Sequence, residues 1–236
     1  MIPKNLFLID IHDEPRRKWL DNVVCAYKEA NPDFDVRLLS YSTDDVMDIY
    51  AGKKDDKYAP QMLEAISTIK EKLAGDYNGR FDWVYLDRLV DCKKYGWTRT
   101  FENENYWVVL LVDIFRFFVL ADYGGIYVDT DTFPLKPFDD ALLSEPFNCT
   151  ARTRGIQPDM FFIGREVHTG CGQIPGVAKK WLFPFYQRTT SPLTLDDIAN
   201  LKYTEDLSSK RYIEHFFFKT WKSGGSNGRR LSGIFE

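Results

Sequence analysis

A nearly continuous apolar run, NYWVVLLVDIFRFFVLAD at residues 105–122, constrains the fold of this chain more than any other segment. Asp113 and Arg116 stand in its middle, where each would cost roughly 2.5–3.5 kcal/mol at the centre of a bilayer. The run is therefore predicted to be a helix buried inside a globular protein and not a membrane span. On a helix, Asp113 and Arg116 share one face because they are three residues apart. Apolar residues occupy the other faces, which predicts a central position for this helix.

Strand and helix patterns alternate along the chain. Residues 5–11 (NLFLIDI) and 35–41 (DVRLLSY) are predicted strands, and residues 16–30 are a predicted helix between them. Another helix is predicted to begin at Pro60 and to end at Gly75. Further strands are predicted at IYVD, FNCTA and MFFIG. This order is typical of an α/β sheet with helices on both faces, in which ligands bind beyond the carboxyl ends of the strands.

Four local predictions complete this outline. Thr43 is the predicted N-cap of a short helix. The segment TFPLKPF at 132–138 is a predicted loop because of its two prolines, and EHFFFKTW at 214–221 is read as a strand or an apolar loop. Residues 1–222 are predicted to form one domain, and the Gly/Ser-rich residues 223–236 a flexible tail.

Composition excludes several classes of function. The formal net charge is −4 and the pI is near 5.5, so the chain has no basic surface of the kind that nucleic-acid binding requires. The four cysteines are far apart in sequence and form no CxxC pair, which argues against a zinc ribbon or a redox motif. The first residues lack the pattern of a signal peptide. A cytoplasmic protein without a transmembrane segment is the expectation.

Two carboxylates follow the predicted strand IYV at Asp129 and Asp131. In an extended chain their side chains fall on one side, while Thr130 points to the other. Carboxylates so close repel each other, and a divalent cation bound between them would remove that repulsion. The alternative is that both aspartates only cap a turn. Gly124 and Gly125, just before the strand, would allow close backbone approach of a ligand, or would serve as an ordinary helix C-cap and turn.

The complete segment DIFRFFVLADYGGIYVDTD resembles the D-x-x-R and G-G-x-Y-x-D-x-D signature of glycosyltransferases with a DXD sugar-binding region. This group includes α-1,6-mannosyltransferases of the fungal Golgi and, more distantly, the large clostridial glucosylating toxins. The opening IPKNLFLIDI and the segment NPDFDVRLLSY are similar to the first two strands of that family. SPLTLDD at 191–197 and HFFFKTW at 215–221 resemble weaker C-terminal motifs.

The resemblance implies a GT-A fold, a Rossmann-like α/β domain that binds a nucleotide-sugar together with Mn²⁺ or Mg²⁺. Asp131 matches the direct metal ligand of the family, and Asp129 matches the aspartate that contacts the donor's ribose and the metal. Asp113 and Arg116 match the pair that holds the sugar hydroxyls and the diphosphate side of the donor. Tyr127 matches an aromatic residue of the sugar pocket, and Gly125 is expected to lie against the donor.

The same resemblance implies roles for three more distant residues. His215 matches a C-terminal histidine that reaches the metal in some GT-A enzymes, although a core histidine beside three phenylalanines fits equally. Trp221 matches a tryptophan near the phosphates. Asp10 stands where the family has a tryptophan that stacks on the base, so a hydrogen bond to the base would replace stacking. UDP is the favoured nucleotide because members of this family commonly use it.

The expected reaction is transfer of the sugar to a glycan or a protein-linked glycan, with retention of anomeric configuration. Two other functions remain open. The segment IYVDTDTF also fits the motif of haloacid dehalogenase-type phosphatases, with Asp129 as nucleophile and Asp131 as acid, although that motif normally opens the fold. The second alternative is that the protein binds a nucleotide-sugar without catalysing a reaction. A calcium loop counted from Asp129 fails, because Pro134 occupies its glycine position.

Overall fold

A computed structural model describes residues 1–13, 18–75, 106–144, 147–149, 162–165, 193–209, 212–216, 231 and 233–235. The helices in these ranges are α1 (Lys18–Ala30), α2 (Thr43–Tyr50), α3 (Ala59–Ala74), α4 (Tyr106–Tyr123), α5 (Asp140–Leu143) and α6 (Leu195–Ala199). The strands are β1 (Asn5–Ile11), β2 (Asp35–Tyr41), β3 (Gly125–Val128), β4 (Thr132–Pro134), β5 (Phe147–Cys149), β6 (Phe162–Arg165) and β7 (Ile213–His215).

The main sheet described has five strands in the order β2-β1-β3-β6-β5. Strand β1 pairs in parallel with β2 and with β3, while β6 runs antiparallel to both β3 and β5. Strands β4 and β7 form a separate antiparallel pair. The carboxyl ends of β1, β2 and β3 therefore meet at one edge of the sheet, and the turn after β3 lies at that edge.

Strand β1 separates two hydrophobic cores because its side chains alternate between the faces of the sheet. Phe7 and Ile9 are buried on the face that α3 and α4 cover. Leu6 and Leu8 are buried on the opposite face, which α1 covers. Complete burial of one such side chain contributes about 1.5–3 kcal/mol. The prediction of an α/β sheet with helices on both faces is confirmed.

Helix α4 is the central helix that the apolar run predicted. Its residues Leu110, Leu111, Phe115, Val119 and Leu120 are completely buried. In the part of the chain that the structure describes, no helix is both long and apolar enough to cross a membrane.

The end of α4 explains the double glycine. Gly124 has a φ of 61° and donates its amide hydrogen to the carbonyl of Leu120, so it terminates the helix in the left-handed conformation. Gly125 has a φ of 114°, and a Cβ there would lie 2.5 Å from the carbonyl oxygen of Asn5 in β1. Both glycines are therefore required by the close passage from α4 into the sheet.

Two local predictions are wrong. Ser42, not Thr43, is the N-cap of α2: its hydroxyl accepts from the amide of Asp45, whose carboxylate accepts from the amide of Ser42. The segment predicted as a loop begins with a strand, since Thr132–Pro134 pairs with Ile213–His215. Pro134 is tolerated there because β4 lies at the edge of its sheet.

The last described residues of the segment predicted as a flexible tail lie in the core. Leu231, Ile234 and Phe235 are buried in the core that contains α4. The ring of Phe235 stacks on Trp107 with centroids 4.7 Å apart. The rest of the predicted tail, residues 223–230, lies outside the described residues.

Candidate functional site

Asp113 and Arg116 form an ion pair on one face of α4, as their spacing predicted. The Arg116 guanidinium contacts the Asp113 carboxylate, and its Nε donates to the Asp113 carbonyl oxygen at 3.3 Å. Arg116 is only 4% exposed. A guanidinium so fully removed from water requires anionic partners to offset its desolvation.

The second anionic partner of Arg116 is Asp129, in the turn that follows β3. Arg116 Nη1 lies 3.1 Å from Asp129 Oδ1. The hydroxyl of Tyr127 donates to the same oxygen at 2.7 Å. Asp129 is thus held on one side by a charged donor from α4 and by a neutral donor from β3.

Tyr127 also supports Arg116 directly. The guanidinium carbon lies 4.8 Å from the centre of the Tyr127 ring, within the range of a cation–π contact. Burial raises the pKa of Tyr127 well above its usual value, and the charge of Asp129 adds to the effect. Tyr127 therefore remains a protonated donor over the physiological pH range. Because its side chain is only 2% exposed, its described contacts are with protein groups and not with an open sugar pocket.

Exposure increases outward along this group of side chains. The exposed fraction rises from 4% for Arg116 to 13% for Asp113 and 30% for Asp129. Asp131 is also partly exposed. The guanidinium therefore forms the floor of the site, and the carboxylates of Asp129 and Asp131 lie nearer to solvent.

The residues Asp129 to Thr132 form a turn, which differs from the extended arrangement expected for the D-x-D segment. The Thr132 amide donates to the Asp129 carbonyl oxygen at 3.2 Å, and the Thr132 hydroxyl donates to the same oxygen at 2.6 Å. The prediction that the two carboxylates fall on one side by strand alternation does not apply to a turn. The alternative prediction for this segment included a turn, and the structure has a turn here.

Strand β7 brings His215 next to this turn in the backbone. His215 is the register partner of Thr132, and the amide of Phe216 donates to the carbonyl oxygen of Asp131 at 2.9 Å. The structure therefore brings His215, predicted as a metal ligand, within one residue of the D-x-D segment along the ladder.

Two other predicted site residues, Asp10 and Gly125, are not part of this group. Asp10 lies near the carboxyl end of β1, on the face of Leu6 and Leu8 by strand alternation, whereas Tyr127 packs on the other face. Gly125 begins β3, at the opposite end of the strand from Asp129, and packs against Asn5. Trp221 lies outside the described residues.

The donor set of the D-x-D turn fits a hard divalent cation. Asp129 and Asp131 offer carboxylate oxygens, which Mg²⁺ and Mn²⁺ prefer, and both ions usually complete their coordination with water and phosphate oxygens. The carboxylates of Asp113 and Asp129 already share the Arg116 guanidinium, and Asp131 adds a further carboxylate to the turn, so the balance of charge also favours a cation. No cluster of three or more His, Cys, Asp or Glu side chains with metal-binding geometry is found among the described residues.

Two residues that support the turn were not anticipated. Tyr27 of α1 is completely buried, and its hydroxyl oxygen lies 2.7 Å from the hydroxyl oxygen of Thr132, which is itself fully buried. No sequence motif marks this pair, because the two residues are 105 positions apart. The only sequence signal was a threonine directly after the D-x-D segment.

Among solved structures, the chain is similar to the PaToxG glycosyltransferase, at 18% identity over 71% of this chain and 56% of that chain, with a TM-score of 0.37. It is also similar to the UDP-bound glycosyltransferase domain from the YGT toxin, at 12% identity over 72% of this chain and 59% of that chain, with a TM-score of 0.34. The chain thus spans less than three-fifths of the length of either structure. No curated protein matches it significantly.

A family model gives the clearest result. The model for the glycosyltransferase sugar-binding region containing the DXD motif matches residues 20–148, more than half of the chain. The match includes the group formed by Asp113, Arg116, Tyr127, Asp129 and Asp131, and it leaves out Asp10, His215 and Trp221. The resemblance found in the sequence is confirmed, and the chain belongs to the family of glycosyltransferases with a DXD-containing sugar-binding region.

Proposed function

We propose that this glycosyltransferase moves a sugar from a nucleoside-diphosphate sugar, with UDP as the favoured nucleotide, to a glycan or a protein-linked glycan. One observation carries the proposal. A buried guanidinium joins a helix carboxylate to the first carboxylate of the D-x-D turn, at the carboxyl edge of an α/β sheet. Ligands of such sheets bind at this edge.

Asp131 and Asp129 would hold Mn²⁺ or Mg²⁺, with His215 as a further candidate ligand from β7. The bound cation would supply charge stabilisation for the departing diphosphate. An oxygen donor set of this kind leaves coordination positions for phosphate oxygens and water. Catalysis then requires little more from the protein than positioning and electrostatic stabilisation.

The contacts of Arg116 indicate how the chain itself would contribute. Its guanidinium fixes the carboxylates of Asp113 and Asp129 relative to each other, and Tyr127 fixes Asp129 from a second direction. Asp113 and Asp129 can then accept hydrogen bonds from donor hydroxyl groups without first reorganising. Arg116 itself is so buried that we assign it the role of holding these carboxylates, in place of a direct contact with the diphosphate.

In this proposal the nucleotide base contacts a carboxylate instead of an aromatic ring. Asp10 lies near the carboxyl end of β1, the strand next to β3. A carboxylate at that position can accept a hydrogen bond from a base N–H, and it cannot stack. Transfer with retention of anomeric configuration is part of the proposal and rests on the family alone.

The deciding experiment measures binding and slow donor hydrolysis with the full chain. Titration calorimetry against UDP, GDP and a panel of their sugar conjugates, each with and without Mn²⁺, is expected to give metal-dependent binding of one nucleoside diphosphate. Asp131→Asn should abolish this metal-dependent binding. The variant should keep the fold, since Asp131 is partly exposed. Asp55→Asn, in the segment between α2 and α3, is the matched control with the same change of charge.

Three outcomes separate the alternatives. Release of free sugar from the bound donor supports a transferase, and nuclear magnetic resonance of the sugar at early times gives its anomeric configuration. Metal-dependent binding without any sugar release supports a non-catalytic binder. Phosphate release from a phosphomonoester, lost in Asp129→Asn, would favour the phosphatase and contradict the proposal.

A further inference from the structure

In the part of the chain that the structure describes, contacts hold the D-x-D turn from three directions, on the α4 face, along the sheet edge and on the α1 face. On the α4 face, Arg116 and Tyr127 bind the Asp129 carboxylate. Along the edge, Phe216 of the segment after β7 binds the Asp131 carbonyl. The third contact comes from the α1 face, through Thr132.

The direction of the hydrogen bonds in this third contact follows from counting hydrogens. A threonine hydroxyl has one hydrogen. Thr132 gives it to the carbonyl oxygen of Asp129 at 2.6 Å, because a carbonyl can only accept. The hydroxyl of Tyr27, 2.7 Å away, must therefore donate to Thr132. The result is a directed chain from α1 to the backbone of the first D-x-D residue.

This chain of hydrogen bonds is isolated from water. Tyr27 and Thr132 are both fully buried. Burial raises the pKa of Tyr27 far above its usual value, so the phenol remains a donor at neutral pH. A second hydrogen bond lies nearby, because the side chain of Asn31, the residue directly after α1, accepts from the amide of Phe138 at 2.8 Å.

We infer that Tyr27 is a positioning residue for the metal and diphosphate site, acting through Thr132 on the backbone of the D-x-D turn. This inference rests on the proposed function. It adds that α1, which carries no residue of the D-x-x-R and D-x-D groups, determines the geometry of the two carboxylates. Displacement of the Asp129 carbonyl would change the angle at which Asp129 and Asp131 present their oxygens, and Mg²⁺ and Mn²⁺ sites are sensitive to such angles.

The test compares four variants of the full chain. Tyr27→Phe keeps the ring and its packing on Phe138 but removes the donor. Thr132→Val keeps the shape but removes the hydroxyl, and Thr132→Ser retains it. Tyr58→Phe is the control, because Tyr58 is also buried and hydrogen-bonded, to Arg37, but it packs near Phe7 and Tyr123 at the amino end of the sheet.

The first readout is Mn²⁺ affinity in the presence of UDP, measured from free Mn²⁺ by electron paramagnetic resonance below the melting temperature of every variant. Loss of one buried hydrogen bond predicts roughly fivefold weaker binding for Tyr27→Phe. Thr132→Val should be at least as weak, Thr132→Ser close to wild type and Tyr58→Phe unchanged. The double variant Tyr27→Phe/Thr132→Val should bind no more weakly than Thr132→Val, because Tyr27 acts only through Thr132.

A second readout does not depend on metal or nucleotide. Hydrogen exchange of the Thr132 amide, which closes the turn, should accelerate in Tyr27→Phe and stay unchanged in Tyr58→Phe. Unchanged Mn²⁺ affinity in Tyr27→Phe would overturn the inference but not the proposed function. The same holds if the losses of affinity of the two single variants multiply in the double variant. A wild-type protein that binds neither Mn²⁺ nor UDP would overturn the proposed function, and the inference with it.

Discussion

Arg116 lies over the ring of Tyr127, with the guanidinium carbon 4.8 Å from the ring centre, and both side chains bind the same carboxylate oxygen of Asp129. The two residues come from different elements, α4 and β3. Their contact therefore fixes the central helix relative to the strand that leads into the D-x-D turn. Stability and site geometry depend on the same buried charge.

Removal of that charge should strongly destabilise the protein. Arg116→Gln would leave the carboxylates of Asp113 and Asp129 without their shared guanidinium, and loss of one partner from a buried ion pair typically costs about 3–5 kcal/mol. Urea unfolding measures the change in free energy. Arg37→Gln, which breaks the more exposed pair with Asp35, should cost about 1 kcal/mol or less. Equal stabilities of Arg116→Gln and wild type would show that the pair contributes nothing.

The pairing of Asp113 with Arg116 could be predicted because helical periodicity alone brings residues three apart together. The contact of Arg116 with Asp129 could not, since it depends on the position of α4 over β3. Family resemblance assigned these residues to one site, but it did not indicate that Arg116 and Tyr127 are buried beneath the carboxylates.

Sequence reasoning failed where distant segments meet. Thr132–Pro134 was read as a loop because of its prolines, and its partner strand lies about eighty residues later in the chain. The tie between Tyr27 and Thr132 is invisible for the same reason. Gly125 was expected to allow ligand approach or to belong to a helix C-cap and turn, and its close contact with the backbone of Asn5 depends on the pairing of β1 with β3, which the sequence does not show.

Gly125 supplies a second prediction. Gly125→Ala would place a Cβ 2.5 Å from the Asn5 carbonyl oxygen, at a φ of 114°. Backbone atoms cannot move aside as the end of a flexible side chain can, so the expected loss exceeds about 2 kcal/mol, measured by chemical denaturation. Gly52→Ala is the control, because Gly52 has a φ of 68° with nothing within 4 Å of the new Cβ. It should lose only the left-handed penalty of roughly 1–2 kcal/mol.

The capping box of α2 gives a pH-dependent prediction. The Lys54 ammonium, 2.5 Å away, and the backbone amide of Ser42 lower the pKa of Asp45 below its usual 3.8. A carboxyl group with a lower pKa in the folded state stabilises the fold above its unfolded pKa, and this contribution is lost as pH falls through the folded value. Asp45→Asn should therefore be less stable than wild type at pH 7.

The difference between Asp45→Asn and wild type should shrink as the pH falls below 3.8, the usual value for this carboxyl. Urea midpoints measured from pH 7 to the lowest pH at which both proteins are folded give the comparison. Ser42→Ala, which removes the other half of the box, should lose about 1 kcal/mol at pH 7. A constant deficit of Asp45→Asn over the whole range would contradict this electrostatic account.

The last described residues give the final prediction, since they pack into the core against α4. Phe235 stacks on Trp107 at 4.7 Å, and Leu231 and Ile234 are buried beside it. Phe235→Ala should cost about 3–5 kcal/mol in unfolding free energy, because a large aromatic side chain leaves a cavity. Gly233→Ala is the local control, as no atom lies within 4 Å of a Cβ at that position. A flexible tail would instead tolerate both substitutions equally, and similar melting temperatures for Phe235→Ala and wild type would restore that earlier expectation.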